Sequence, residues 1–366
     1  MSIKVHPDIE SLVPYSPGKP IEELERELGL TGAVKLASNE NPRGPSPKAL
    51  AVLSEAAKTL HRYPDGGAYR LRTALAERWK VSPAQVVLGN GSDEIIGMLV
   101  RAFLPPGDEA IMADQTFVIY HMEVTASHGR PVVVPLRGFR HDLSAMANAV
   151  TPRTRLLFLC NPNNPTGTMV TAVEVETLMA RIPEHVIVVF DEAYYEYVQA
   201  PDFPDGLGFV KRNRNAIVLR TFSKIYGLAG LRIGYGITTA EIAGYLNRVR
   251  PPFNANALAQ RAALAALDDE EHVTRSRQMN RSEMAVVRAG LETLGFRPVP
   301  SEANFLYFDC GRDGCAVFQA LLREGVIVRH IEGRMLRVTI GLPEENIRLL
   351  EALKKVLMQE GVKYTP

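Results

Sequence analysis

Cysteine is scarce in this chain. Cys160, Cys310 and Cys315 are the only three in 366 residues. An odd count in apolar or mixed surroundings argues against a disulfide framework, and the spacing suits no metal site; a reducing compartment is expected. An excess of either charge is lacking too. The 42 Lys and Arg against 41 Asp and Glu leave a net charge of +1, which gives no reason to expect nucleic acid or an anionic membrane surface as partner. A small anionic substrate stays open, because local arginines decide that. No apolar run approaches the ~20 residues needed to cross a bilayer. Met1 to Glu10 carries Lys4, Asp8 and Glu10 without an apolar core, so no signal peptide is expected and the cytoplasm is. Repeats and low-complexity tracts are absent. What remains, 46% hydrophobic and 23% charged, is ordinary for a globular protein, and the length suits two domains at ~150 residues each.

Three buried-strand patterns run into turns rich in polar residues. Ala216-Ile217-Val218-Leu219 leads to Thr221, Ser223 and Lys224, with Arg232 further on. Hydroxyls, backbone N–H groups and a guanidinium in such a turn can hold a phosphate. A lysine beside that phosphate can form an imine with a carbonyl on the same ligand, a description that pyridoxal phosphate meets; an ordinary surface lysine is the alternative. His185 to Phe190 is a second continuous apolar run, as in a parallel strand buried on both faces. It ends in Asp191, an anion for a pyridine nitrogen or else a helix cap. Tyr194, just beyond, can reach the ring's phenolic oxygen. Leu156 to Cys160 is the third run, and Asn164 in the Asn-Pro turn after it can donate to that same oxygen. Gly91, Ser92 and Asp93 open a helix after the strand Val86–Gly89, leaving free N–H groups for an anion. Phe117 is the candidate for stacking on the ring.

The strands and helices alternate from Val86 to Gly236, which calls for a mainly parallel sheet with helices on both faces. Before it, the spacing predicts helices over Ile21–Leu28, from Pro47 to about Leu60 behind the cap Ser46, and over Ala68–Lys80. Further helices are expected at Ile95–Phe103, from Thr116 onward and at Leu143–Val150. Beyond Gly236, helices are expected at Ala240–Val249, Ala257–Leu267, Glu270–Leu294, Ala316–Glu324 and Glu344–Gln359. Strands are expected at 304–308, 326–329 and 336–340. The division expected is an N-terminal arm and short helix over 1–45, a large domain over 46–250 and a smaller α/β domain over 251–366.

Asn-Pro-Thr-Gly at 164–167, Asp191-x-x-Tyr194, and Ser223-Lys224 with Arg232 eight residues on resemble the fold type I pyridoxal-phosphate-dependent aminotransferases. Ser38-Asn39-Glu40-Asn41-Pro42, Arg62-Tyr63-Pro64-Asp65 and Leu336-Arg337-Val338-Thr339-Ile340-Gly341 resemble the histidinol-phosphate aminotransferase branch. The resemblance covers nearly the whole chain. It implies an α/β fold with a mainly parallel seven-stranded sheet. It also implies a pyridoxal 5'-phosphate cofactor on Lys224 and an amino donor and 2-oxo acid as substrates. Tyr15 is then expected to touch the substrate phosphate, Asn39 to face the substrate, and Arg337 and Arg329 to hold its anionic groups. Tyr63 is expected to serve the neighbouring site of a homodimer. From the residues alone, Tyr15 can equally be an anchor, Tyr63 a turn residue and the arginines surface ion pairs. Aromatic and arogenate aminotransferases share much of the pattern, and threonine-phosphate decarboxylase resembles the same branch. A non-catalytic cofactor-binding regulator would need a DNA-binding domain for which the two domains leave no room.

Overall fold

A computed structural model of the chain describes residues 3–359. Residues 1–2 of the expected arm and 360–366 of the expected C-terminal domain lie outside the described residues. The strands in chain order are β1 (Val34–Lys35), β2 (Val86–Gly89), β3 (Glu109–Ala113), β4 (Arg130–Val134), β5 (Thr154–Cys160) and β6 (Ile187–Asp191). They continue with β7 (Ala216–Thr221), β8 (Gly234–Thr238), β9 (Phe305–Asp309), β10 (Val326–Ile327), β11 (Arg329–Glu332) and β12 (Met335–Thr339). Seven of them form one sheet in the order β2-β8-β7-β6-β5-β3-β4, and only β8 runs against its neighbours.

Every residue of β6 and β7 is buried, which is why these strands read as unbroken apolar runs rather than alternating ones. Helices cover both faces. Ile95, Leu99 and Val124 pack on one side with Val189 and Ile217. Leu71, Val175 and Ala259 pack on the other with Val188 and Val218. Two helices not foreseen, Ala172–Arg181 and Gly206–Lys211, complete this layer. The first carries a readable start signal, a capping box in which Thr171 and Glu174 satisfy each other's backbone N–H groups.

A second, smaller layer joins β11-β12-β9 as an antiparallel sheet, with β1 pairing parallel to β10. Its core gathers Leu36, Val287, Leu306, Val338 and Leu353. The arm's helix Ile21–Leu28 belongs to this side, since Leu24 packs with Ile327. The helix Ala257–Leu267 does not, although it lies beyond residue 250. Its small residues Ala259, Ala262, Ala263 and Ala266 are fully buried in the core of the large sheet, together with Ala49 of the helix Pro47–Ala57. Alanine facing alanine lets helices approach closely. The helix Glu270–Thr293 then spans both cores, with Val273 in the first and Leu291 in the second. We therefore propose that the domain division runs through this helix rather than at 250/251.

The expected extension of the first large-domain helix to Leu60 is absent. It ends at Ala57, and Leu60 is 58% exposed, so no burial holds a further turn. The helix after Thr116 begins only at Ile119, and the one from Leu143 ends at Asn148.

The loop over 38–46 is locked against the lysine turn. Asn41 Nδ2 donates to the Ile225 carbonyl at 2.7 Å, and Ser46 N–H donates to the Tyr226 carbonyl at 3.2 Å. Gly227 makes the approach possible. Its φ is +68°, and a Cβ there would lie 2.1 Å from the Gly44 carbonyl oxygen. Gly227→Ala is expected to destabilise the protein by about 1–3 kcal/mol through left-handed strain and this collision, read as a lowered Tm in a thermal scan.

Candidate active site

β7, β6 and β5 are adjacent and parallel, so their carboxyl ends open on one side of the sheet. Ligands of open α/β sheets bind outside those ends. A cavity of about 350 Å³ lies there. Lys224 follows β7, Asp191 ends β6, and Asn164 follows β5; all three line the cavity. So do Tyr15, Asn39, Ser92, Asp93 and Phe117, together with Tyr194, Thr221, Ser223, Arg232 and Arg337.

Asp191 is buried at the cavity floor. Tyr120 Oη donates to its Oδ2 at 2.5 Å, while Oδ1 has no hydrogen-bond partner among the described residues. Burial pushes the carboxyl up to about 6, against the Tyr120 bond and the nearby Ala193 N–H, which favour its charge. The site therefore carries an anionic group short of a cation. Lys224, half-buried, donates from Nζ to the Ser38 carbonyl at 3.1 Å. Burial lowers its ammonium to about 8; the Arg337 and Arg232 cations add to that effect, while Glu40 and Asp93 oppose it.

One end of the cavity is shaped for an anion. The helix Ser92–Phe103 begins behind Gly91, whose φ is +85° and whose missing Cβ leaves room for the side chains of Asp93 and Arg232. Arg232 donates from Nη2 to Asp93 Oδ1 at 3.0 Å and from Nη1 to Ser223 Oγ at 3.5 Å. Ser92, Thr221 and Ser223 stand around it in the cavity wall. Gly91 shapes this end from behind without lining it.

At the other end Arg337 is buried on β12. It donates from Nη2 to the Ala37 carbonyl at 2.6 Å and from Nη1 to Asn164 Oδ1. With its oxygen committed to Arg337, Asn164 offers its Nδ2 as a donor. Asn39 donates to Tyr194 Oη at 2.8 Å and accepts from Thr339 Oγ1 at 3.1 Å. Burial holds the Tyr194 hydroxyl protonated.

One expected site residue stands elsewhere. Arg329 is paired with Arg337 across the β11–β12 ladder, yet it does not line the cavity. Its Nη1 donates to the Ser16 carbonyl at 2.7 Å, and its guanidinium lies 5.5 Å from the Tyr15 ring. Arg329 thus holds the arm that carries Tyr15. Tyr63 is 82% exposed and stacks on Phe253 at 4.6 Å, away from the cavity of its own chain.

Residues 31–353 match the model of the family "Aminotransferase class I and II". The chain belongs to the class I and II aminotransferases. This aminotransferase is 51% identical over 354 residues to a curated histidinol-phosphate aminotransferase of Moorella thermoacetica, covering 95% of this chain and 92% of that one. A second relative, histidinol-phosphate aminotransferase 2 of Pseudomonas fluorescens strain Pf0-1, is 51% identical with 96% of each chain covered. Among solved structures, histidinol-phosphate aminotransferase from Sinorhizobium meliloti in complex with pyridoxal-5'-phosphate superposes with a TM-score of 0.91. It is 30% identical, and 99% of each chain is covered.

Sequence reasoning about this aminotransferase missed Tyr120, the partner of Asp191. The signal was present: Tyr120 stands three residues after Phe117 at helical spacing, and the two rings meet edge to face at 5.6 Å. The Ser38 carbonyl left no such signal, because a backbone oxygen has no letter of its own.

Asp191 also gives a stability prediction. Its folded value of about 6 lies above the ordinary 3.8. Between those values the folded state holds the extra proton, so stability falls as pH rises through the window. Asp191→Asn removes that liability. The cofactor-free variant is expected to melt higher than the cofactor-free wild type at pH 8, with the difference shrinking toward pH 5. Paired thermal scans check this.

Proposed function

We propose that the chain is a histidinol-phosphate aminotransferase. It converts histidinol phosphate and 2-oxoglutarate to imidazole acetol phosphate and glutamate in histidine biosynthesis, with pyridoxal 5'-phosphate as cofactor. The observation that carries this reading is identity at half of all positions, across nearly the full chain, with proteins named for that reaction. The cavity supports the cofactor. The unpartnered Asp191 Oδ1 suits a protonated ring nitrogen, and the cup of Ser92, Ser223 and Arg232 suits a phosphate. When bound, pyridoxal phosphate supplies an aldehyde that carries the amino group and a ring that spreads negative charge from the α-carbon.

The chain's own residues do the rest. Asp191 holds a proton on the ring nitrogen by facing it with an anion that Tyr120 keeps aimed. Phe117 covers a ring face. Asn164 Nδ2 and Tyr194 Oη donate toward the ring's phenolic oxygen. Lys224 Nζ, softened by burial toward neutral pH, takes and returns the proton at the substrate's α-carbon. Arg337 offers its fork to an anionic group of the substrate, and Tyr15 closes the mouth with Arg329 behind it. The protein acts as a homodimer in which exposed Tyr63 reaches the neighbouring site. Its three unpaired cysteines suit the cytoplasm.

Steady-state rates decide the substrate. Histidinol phosphate is expected to exceed phenylalanine as donor by at least about a hundredfold in kcat/KM, since the polar groups that meet a phosphate stay unpaired without one. A preference for phenylalanine defeats the proposal. Lys224→Ala is expected to keep the cofactor and lose more than about 10³-fold in kcat.

A further inference from the structure

Three residues of the small antiparallel sheet stand in one row across its strands. Tyr307 on β9 pairs with Arg337 on β12, and Arg337 pairs with Arg329 on β11. Residues directly opposite each other on antiparallel strands share a face, so all three side chains leave the sheet on one side. Each is fastened to a different segment around the cavity. Arg329 donates to the Ser16 carbonyl of the arm, and Arg337 donates to Asn164 and to the Ala37 carbonyl. Tyr307 Oη donates to Gln115 Oε1 at 3.2 Å.

Gln115 has no part in the proton chemistry. It follows β3 of the large sheet, half-buried, two residues before Phe117. Its amide completes a chain across the gap between the two sheets. Oε1 accepts from Tyr307, and Nε2 donates to Glu332 Oε1 at the end of β11. Its own carbonyl accepts from Asn163 Nδ2 at 2.9 Å, and Thr116 Oγ1 donates to Asn163 Oδ1 at 2.9 Å. Tyr307 is fully buried, and burial together with Glu332, Asp114 and Asp309 keeps its hydroxyl protonated. A buried hydroxyl without an acceptor is costly, and Gln115 is the acceptor it meets among the described residues. The contact therefore favours one placement of the small sheet against the large one.

We propose that Gln115 is a positioning residue for substrate binding: by gripping Tyr307 and Glu332 it sets the distance between Arg337 and the end of the cavity that Phe117 lines. The inference rests on the reading of Arg337 as the holder of the substrate's anionic group. An anion on Arg337 must leave the reacting carbon within reach of Lys224, so the placement of the row decides which substrate lengths fit. Binding of both substrates depends on that placement. Proton transfer by Lys224 does not.

Steady-state kinetics of the cofactor-loaded protein with histidinol phosphate and 2-oxoglutarate test this. Gln115→Leu is expected to raise both KM values about tenfold, a fraction of the ~100-fold that a displacement of about 1 Å costs, with kcat within about threefold of wild type and the cofactor's absorbance unchanged. Adding Tyr307→Phe removes the orphaned hydroxyl. The double variant is expected to regain the Tm lost by Gln115→Leu while both KM values stay raised. KM values that recover together with Tm, or that never rise, overturn the positioning role. Arg337→Gln checks the reading beneath it and is expected to raise both KM values about 10- to 100-fold through lost charged hydrogen bonds. Unchanged values in that variant overturn Arg337 as the anion holder, and the inference with it. Raised values there with Gln115→Leu unaffected overturn Gln115 alone.

Discussion

A buried carboxylate with one oxygen left unpaired organises this protein. Asp191 sits at the end of a strand buried on both faces, where an ion costs several kcal/mol to desolvate unless it meets a partner. Tyr120 satisfies only one oxygen. The fold thus keeps a carboxyl whose charged form burial disfavours. The raised carboxyl and the lowered lysine are two consequences of the same burial.

The sheet explains why three distant segments meet. β5, β6 and β7 are neighbours in register, Cys160 beside Asp191 and Asp191 beside Leu219. Whatever follows their carboxyl ends must therefore crowd together, and Asn164, Asp191 and Lys224 do. The second layer then closes the cavity from the side. Arg337 reaches across from β12 to Asn164 and to the Ala37 carbonyl, so one buried guanidinium joins the arm, the large domain and the small domain.

What was legible in the sequence follows from what leaves a local trace. Ser46-Pro47 announced a helix start because capping is local chemistry, and the buried strands announced themselves because both of their faces must be apolar. The helix Ala257–Leu267 is legible to the residue, but the layer it packs against is not. An alanine stripe says that something packs closely without saying what, and only the tertiary fold supplies Ala49 as its neighbour. Arg329 and Arg337 look alike in one dimension, each on a strand of the same hairpin. Depth separates them: Arg337 is buried toward Asn164, while Arg329 lies at the arm. No spacing rule encodes that difference.

Behind the cavity, one residue from each of two neighbouring strand ends forms a buried ion pair. Glu192 follows Asp191, and Arg220 precedes Thr221; Arg220 donates to Glu192 Oε2 through Nε at 3.0 Å and Nη2 at 2.7 Å. The guanidinium lies between the Tyr195 ring at 3.4 Å and the Trp79 ring at 4.0 Å. Glu192 keeps Arg220 protonated in this setting. Such a pair contributes little net stability over an apolar substitute, whereas removing one member costs about 3–5 kcal/mol. Its value is therefore positional. It fixes the end of β6 against the end of β7, and those ends carry Asp191 and the turn of Lys224. An apolar contact there would tolerate sliding. A two-bonded guanidinium held between two rings does not, so the acid and the amine keep their separation.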